Sequence, residues 1–225
     1  MNEKGKLARD AFAKFGLGLV LMGLLIFLPA GSFRHWRGWL LMGILFVPML
    51  GAGLMMLWKA PELLRKRLEA KKQQGEQRSV IRLSALMFLI GFVLAGLDYR
   101  FGWLVLPGWI SWVAAAIFLL GYLLFGEVLR ENSYLARTIE VQEGQKVIDT
   151  GLYGLVRHPM YAATILMFLS MPLVLGSVLA LPVFLCYLPI IAKRMRNEEQ
   201  VLLEGLPGYG DYMKKVRYRV IPFLW

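Results

Sequence analysis

The sequence predicts an all-α integral membrane protein of about six transmembrane helices, the last two forming a C-terminal helical hairpin. Hydrophobic residues make up 58% of the 225-residue chain and the mean hydropathy is +0.56, whereas soluble domains average roughly 45–50% apolar residues. Apolar runs of about 17 to 25 residues, enough to cross a bilayer as a helix, recur along the chain. Cationic residues are concentrated between these runs.

The first four transmembrane helices are predicted from four apolar runs, at 15–31, 38–58, 82–98 and 108–127. A fifth run, 160–192, is too long for one helix and is interrupted by several prolines. We interpret it as a tight hairpin that turns at Leu175-Gly176-Ser177. A five-helix alternative, with 160–192 re-entrant or one helix absent, would place the basic segments on both sides of the membrane and is less favoured.

The formal net charge of +11 does not indicate a nucleic-acid partner, because six helices would place the basic segments on one face of a bilayer. The positive-inside rule then predicts that both termini are cytoplasmic, at the inner or plasma membrane if the protein is bacterial. The basic loop at 61–79 places Leu63, Leu64 and Leu68 on one helical face. It is predicted to lie along the anionic leaflet, with partner binding as the alternative.

Polar residues divide the chain into two parts. Residues 1–127 hold few polar groups within their apolar runs and are predicted to be a transmembrane scaffold. Residues 128–225 carry polar blocks before and after the hairpin, and both blocks fall on the predicted cytoplasmic face, where they can meet. In the first block, the alternation in RTIEVQEGQKVIDTG predicts a short β-hairpin or an extended loop around Glu143-Gly144.

The first polar block ends in GLYGLVRHPMY, residues 151–161. Glycines on both sides of Tyr153 would let the backbone approach a ligand. Pro159 suits the first turn of a helix, where a missing N–H costs nothing. The start of that helix offers N–H groups and a positive dipole end, which suit a carboxylate or a phosphate. The alternative is that Arg157 and His158 only cap the helix at the membrane interface.

The second polar block carries a charged pair and two tyrosines. Arg194 and Glu198 are four residues apart and share a helical face, and Glu199 lies about 100 degrees around. Two adjacent acids at a membrane boundary suggest a cationic ligand group or a catalytic ion pair; the alternative is a solvated helix end with an intrahelical salt bridge. Tyr209 and Tyr212 could stack a base or line the interface.

A metal site is not indicated by the sequence. The two histidines, His35 and His158, belong to no ligand motif, and His35 is predicted to lie at the opposite interface. The single cysteine, Cys186, lies in an apolar run and is predicted to be a buried packing thiol. No phosphate-binding loop or nucleophile elbow is present in the sequence.

An ordered set of motifs resembles the isoprenylcysteine carboxyl methyltransferase family, including its bacterial members and the related phospholipid N-methyltransferases. The set comprises G-x-Y-x-x-x-R-H-P-x-Y, the proline-containing apolar hairpin, R-x-x-x-E-E-x-x-L, G-Y-x-x-Y and a closing R-x-I-P. It covers roughly residues 121–225. Each motif is weak alone, and the combination is specific.

The resemblance implies an integral membrane enzyme that transfers the methyl group of S-adenosylmethionine to a lipophilic acceptor entering from the bilayer. It makes 128–225 the catalytic half, with a cytoplasmic cofactor pocket formed by the loop before the hairpin and the C-terminal tail. The cofactor-binding residues it implies are His158, Pro159, Tyr161, Glu199, Tyr153, Tyr209 and Tyr212. The catalytic residues it implies are Arg194, Glu198 and Arg157, with Arg194 orienting an anionic acceptor and Glu198 either fixing Arg194 or accepting a proton.

Several alternatives stay open at this point. The acceptor group is a carboxylate, a thiol or an amine. An NADPH-dependent membrane reductase of related architecture would need further cations for the ribose phosphate. A non-enzymatic membrane scaffold would bind no cofactor. The sequence does not indicate an oligomeric state.

Overall fold

The computed structural model of the protein describes residues 3–68, 75–132, 134–135 and 141–225. Its helices are α1 (Glu3–Ala30), α2 (Trp36–Lys59), α3 (Pro61–Leu68), α4 (Gly75–Phe101), α5 (Gly108–Glu131), α6 (Pro159–Val174), α7 (Leu181–Leu185), α8 (Tyr187–Gly205) and α9 (Tyr209–Lys215). A short 3-10 turn, Gly151–Gly154, precedes α6. Within the described ranges an isolated bridge between Val105 and Ser177 is the only β pairing. The predicted all-α class is confirmed.

Four helices of the described part are long and apolar enough to cross a membrane: α1, α2, the Ser79–Phe101 portion of α4, and α5. The first four predicted apolar runs fall on these four helices. Large apolar side chains on them face outward, as lipid contact requires; Leu28 is 73% exposed and Leu123 is 72% exposed. Helix α1 begins at Glu3, well before its apolar run, so the polar segment ahead of that run is also helical.

The hairpin has one continuous arm and one broken arm. Helix α6 ends at Val174 and the chain turns immediately after it, as predicted, with Gly176 at a φ of +77° that favours glycine. In the return arm α7 ends at Leu185 and α8 begins at Tyr187. Pro189 lacks the N–H that would bond to the carbonyl four residues earlier, which favours a break at this point. Helix α6 has 16 residues, and the count of six transmembrane helices stays a prediction.

Polar contacts fix the turn after α6 against the end of α4. The two carboxylate oxygens of Asp98 accept hydrogen bonds from the Leu104 N–H at 2.9 Å and from the Ser177 hydroxyl at 2.5 Å. The Leu106 N–H donates to the Gly176 carbonyl at 2.9 Å. This end of the bundle is therefore held by a buried carboxylate that the sequence analysis did not single out.

Two side chains lie differently from the prediction. His35, expected at the interface, is fully buried at 0% exposure and stacks on Tyr99 with ring centroids 3.9 Å apart. Cys186 is exposed, so its prediction as a buried packing thiol was wrong. It lies at the junction between α7 and α8, where the helix axis breaks and the thiol faces out of the bundle.

Two predicted segments lie partly outside the described residues. Of the loop at 61–79, α3 covers 61–68, and Leu64 is 6% exposed and packs against the protein. The proposed contact of this loop with the leaflet stays a prediction. Of the predicted β-hairpin or extended loop, residues 141–150 are described and form a loop with a turn at Glu143-Gly144.

Helices α5 and α6 pack closely because Gly121 has no side chain. A β-carbon built there would lie 2.8 Å from Met167 Cγ and 2.9 Å from the carbonyl oxygen of Ala163. A side-chain end can move, whereas a helix carbonyl moves only with its helix. This contact positions α6, which begins at the candidate site described below.

Gly121→Ala is expected to destabilise the protein by about 1–3 kcal/mol, as overpacking of a close contact does. The matched control is Gly126→Ala on the same helix, where a β-carbon would meet nothing within 4 Å and alanine favours the helix. Thermal unfolding in detergent measures the difference. Equal unfolding temperatures for the two variants would contradict this account of the α5–α6 contact.

Candidate active site

A cavity lies at the end of the bundle where the 151–158 loop, the start of α6, helix α8 and the segment 209–220 meet. The space within it that a water-sized molecule can occupy is about 90 Å³, and about 850 Å³ lies between its walls when the open mouth and solvent are counted. Its walls combine aromatic, charged and amide side chains with apolar ones. The predicted site residues that line it are Tyr153, Arg157, His158, Pro159, Tyr161, Arg194, Glu198, Tyr209 and Tyr212.

The loop before α6 is shaped by the end of α5. Glu131 accepts hydrogen bonds from the Thr150 hydroxyl at 2.8 Å and from the Leu152 N–H at 3.2 Å. A β-carbon at Gly151, whose φ is +50°, would lie 2.2 Å from a Glu131 carboxylate oxygen. Glycine is therefore required at this position both for the backbone conformation and for the close carboxylate.

Tyr153 joins this loop to helix α9. Its hydroxyl accepts a hydrogen bond from Asn132 Nδ2 at 2.8 Å, and its carbonyl accepts one from the Tyr212 hydroxyl at 2.8 Å. Burial raises the pKa of Tyr153 to about 12, although the hydrogen bond from Asn132 opposes that shift. The phenol is therefore neutral at physiological pH and acts as a structural hydrogen-bonding group.

Glu199 is the centre of a buried ion network behind the cavity wall. Its carboxylate accepts a hydrogen bond from Arg157 Nε at 2.9 Å. It also accepts hydrogen bonds from Nε and Nη2 of Arg219, the latter at 2.8 Å. His158 Nε2 lies 3.2 Å from the same carboxylate. Glu199 is 4% exposed and does not line the cavity. Arg157, His158 and Arg219 occupy its carboxylate oxygens. Its predicted contact with the cofactor stays a prediction.

The network holds the Glu199 carboxylate ionised. Burial alone would raise its pKa, but hydrogen bonds from His158 and Arg219, with the charge of Arg157, lower the pKa well below its ordinary value. The ionised carboxylate in turn pairs with two guanidinium groups beside the start of α6, and the three groups together keep a net positive charge. Glu199 thus fixes both the position and the charge of the wall.

Arg157 binds the backbone of the segment that follows α9. Its Nη1 donates to the carbonyl oxygens of Val216 and Arg217, each at 2.9 Å. Its backbone N–H donates to the Tyr218 carbonyl at 2.9 Å, and that of His158 donates to the Arg219 carbonyl at 2.8 Å. These bonds favour a positioning role for Arg157 over the predicted catalytic one.

A second polar chain crosses the wall nearest the bundle. Arg194 Nε donates to the Tyr161 hydroxyl at 3.0 Å, and that hydroxyl donates a short hydrogen bond to Glu198. The predicted pair of Arg194 and Glu198 is therefore joined through Tyr161. Glu198 is the sole carboxylate among the cavity-lining residues that the structure describes.

The outer wall is aromatic. The rings of Tyr209 and Tyr212 lie 5.6 Å apart and are 4% and 5% exposed. Burial raises the pKa of both phenols. With Leu206 and Val216 they form a small apolar cluster separate from the core of the bundle. The tyrosines therefore offer a neutral, flat and largely apolar surface.

The sequence analysis missed two residues of this site. Arg219 lies in the closing R-x-I-P motif, which carried a signal but was given no role. Asn132, at the end of α5, lines the cavity and binds Tyr153, and no motif marks it. The whole arrangement can hold a ligand that combines a carboxylate with a flat ring, next to an arginine and a carboxylate that face the bundle.

Comparisons with known proteins agree with the resemblance stated above. Residues 109–206 match the model of the phospholipid methyltransferase family. This range begins in α5 and includes the loop before α6, the hairpin and α8. It contains most of the cavity wall and stops short of α9 and the segment after it.

Two curated proteins align with part of the chain. A Delta(14)-sterol reductase of Mus musculus is 33% identical over 91 residues, 39% of this chain and 22% of that protein. The nickel-cobalt-cadmium resistance protein NccN of Alcaligenes xylosoxydans xylosoxydans is 24% identical over 110 residues, 47% of this chain and 50% of that protein. The alignments thus span half or less of each relative.

The fold matches that of a eukaryotic intramembrane Ras methyltransferase, isoprenylcysteine carboxyl methyltransferase, solved without a monobody. The TM-score is 0.53 at 17% identity, over 100% of this chain and 99% of that one. The predicted resemblance is confirmed: the fold is like that of isoprenylcysteine carboxyl methyltransferase, and residues 109–206 match the phospholipid methyltransferase family model.

Proposed function

We propose that this isoprenylcysteine carboxyl methyltransferase-like membrane protein transfers a methyl group from S-adenosylmethionine to a lipophilic acceptor. The observation that carries the proposal is the cavity itself. It joins the start of α6 and an aromatic wall to the Arg194–Tyr161–Glu198 chain, which faces the apolar bundle. The catalytic half is then 128–225, and 1–127 is the scaffold that holds it in the bilayer.

The cavity residues fit the parts of S-adenosylmethionine. The positive dipole end of α6, beside the His158 ring, suits the carboxylate; Pro159 itself has no N–H, and the N–H groups of Tyr161 and Ala162 bond to the His158 carbonyl. Tyr209 and Tyr212, buried and neutral, suit the adenine. When bound, the cofactor supplies an electrophilic methyl group on a sulfonium.

The side chains of this protein would then position the acceptor and exclude water. Methyl transfer needs no general acid; it needs in-line geometry, a dry site and an acceptor in its nucleophilic form. Arg194 would orient an anionic acceptor that enters from the bilayer side. Tyr161 holds Arg194 and Glu198 in a fixed relation. Glu198 would accept a proton from an acceptor that arrives neutral.

An NADPH-dependent reduction is the second candidate, because a sterol reductase aligns with part of the chain. A ribose phosphate would need cations at the cavity. Lys146 lines it, whereas Arg157 is engaged with Glu199 and two carbonyl groups. Of the lining cations, Arg157 and Arg194 are thus engaged with protein groups, which disfavours a site for a ribose phosphate.

The test is titration calorimetry of the protein in nanodiscs with S-adenosylmethionine, S-adenosylhomocysteine and NADPH. We expect micromolar binding of both sulfur compounds, weakened at least tenfold in Tyr209→Ala. Arg196→Ala, an exposed position on α8, is the control and should bind like wild type. Binding of NADPH without either sulfur compound would overturn the proposal in favour of a reductase. Binding of none, in folded protein, would favour a scaffold.

A further inference from the structure

We propose that residues 221–225, here called the apolar tip, insert into the bilayer interface beside the candidate active site. Four large apolar side chains of the tip are exposed: Ile221 at 46%, Phe223 at 88%, Leu224 at 76% and Trp225 at 41%. The tip leaves the protein next to the cavity and not on a lipid-facing helix. This inference depends on the membrane location of the bundle and not on the reaction.

The direction of the backbone carries the first step. The Arg157 N–H binds the carbonyl of Tyr218, and the His158 N–H binds that of Arg219. Residue numbers rise together in these two pairs, so the two segments run in the same direction. From His158 the chain enters α6, which descends into the bundle. The neighbouring segment therefore also heads towards the bilayer as it reaches the tip.

The packing of Val220 carries the second step. Val220 is 4% exposed and belongs to the main apolar core of the bundle, together with Tyr161 and Met195. The segment thus packs against the bundle one residue before the tip begins, so the exposed apolar side chains of the tip lie beside the bundle.

The tip is a defined loop rather than a frayed end. The carbonyl oxygen of Trp225 accepts hydrogen bonds from the N–H groups of Val220 at 2.9 Å and Ile221 at 3.0 Å. The Trp225 N–H donates a hydrogen bond to the Ile221 carbonyl at 3.1 Å, and Phe223 has a φ of +65°. This turn presents Phe223 and Leu224 at its outermost point. Because the turn is already ordered, inserting these side chains into the interface costs little additional conformational entropy.

Charge identifies lipid as the occupant rather than a second copy of this chain. Residues 212–225 contain four cations and no acidic residue. Arg219 is paired with Glu199, Lys214 with Asp211 and Lys215 with Asp149, whereas Arg217 is exposed. An exposed cation beside an apolar segment suits anionic headgroups and contributes about 1 kcal/mol near the surface. Two copies meeting at this face would bring like charges together. Tryptophan is also enriched at the membrane interface.

Site-directed spin labelling in nanodiscs with anionic lipid tests the proposal. A label at Leu224→Cys in a Cys186→Ser background should be more accessible to oxygen, which partitions into lipid, than to an aqueous nickel chelate. Phe223→Cys gives a second, independent reading. Glu204→Cys, exposed at the end of α8, is the aqueous control and should show the opposite preference.

Two outcomes would overturn the proposal. One is chelate accessibility at both tip positions equal to that at Glu204, which would place the tip in water. The other is dipolar broadening between labels on different copies, which would identify a second copy as the partner. A tip label protected from the chelate, with no such broadening, supports insertion into lipid.

Discussion

Glu199→Gln is expected to weaken S-adenosylmethionine binding at least about 30-fold and to lower the unfolding temperature. Removing one partner of a buried ion pair costs about 3–5 kcal/mol, because the remaining charges stay buried without compensation. Here the substitution leaves Arg157 and Arg219 facing an amide. His158 also loses its carboxylate partner. Calorimetric titration and thermal unfolding of the same preparation measure the two effects.

The matched control is Glu204→Gln, an exposed carboxylate on the same helix, which should bind and unfold like wild type. A double-mutant cycle with Arg219→Gln separates the network from general damage. Since Arg219 acts on the site through Glu199, the double variant should lose much less than the sum of the single losses. Wild-type affinity in Glu199→Gln would show that the network has no part in cofactor binding.

The same network predicts a pH dependence of stability. The folded-state pKa of Glu199 lies below the ordinary value of 4.5. A depressed carboxylate pKa stabilises the fold above the ordinary pKa, and this stabilisation is lost as pH falls towards the folded-state pKa. Wild type should therefore lose stability steeply below about pH 4.5, and Glu199→Gln should show a shallower slope there.

The membrane helices could be predicted from the sequence because hydropathy and length decide them locally. The turn of the hairpin was also predictable, since Gly176 sits between two apolar runs. The break in the return arm was not predicted, because proline alone does not decide it: Pro189 lies near the break, whereas α2 continues through Pro48 and α6 through Pro172. Asp98 was missed because its partner Ser177 is distant in sequence and adjacent only in the fold.

The site shows a similar division. His158, Tyr161, Arg194 and Glu198 were named from the motifs of the resemblance, and the structure brings all four to one cavity; their roles stay predictions. The role of Glu199 was not predictable, because its neighbours in sequence do not reveal that Arg219 from a later segment reaches the same carboxylate. Spacing along a chain identifies candidates, whereas the saturation of a buried charge depends on contacts between distant segments.

Arg194→Ala is expected to lower kcat by about 10²- to 10³-fold, the usual cost of removing one preorganised donor from an active site. The cofactor KM should change only a few-fold, because Arg194 lies on the bundle side of the cavity, away from Tyr209 and Tyr212. Arg194→Lys should recover little, since lysine cannot repeat the fixed bond from Nε to Tyr161. Arg196→Ala, exposed on the same helix, is the control. Full turnover in Arg194→Ala with normal cofactor binding would contradict the assigned role.

Glu198→Gln, measured beside Arg194→Ala, separates the classes of acceptor. A carboxylate acceptor is already ionised at neutral pH, whereas a thiol or an amine must lose a proton before it attacks the methyl carbon. With a carboxylate acceptor, the loss in Arg194→Ala should exceed the loss in Glu198→Gln at every pH. With a thiol or an amine, the Glu198→Gln loss should dominate and should shrink as rising pH deprotonates the acceptor. The two variants thus report which step the Arg194–Tyr161–Glu198 chain serves.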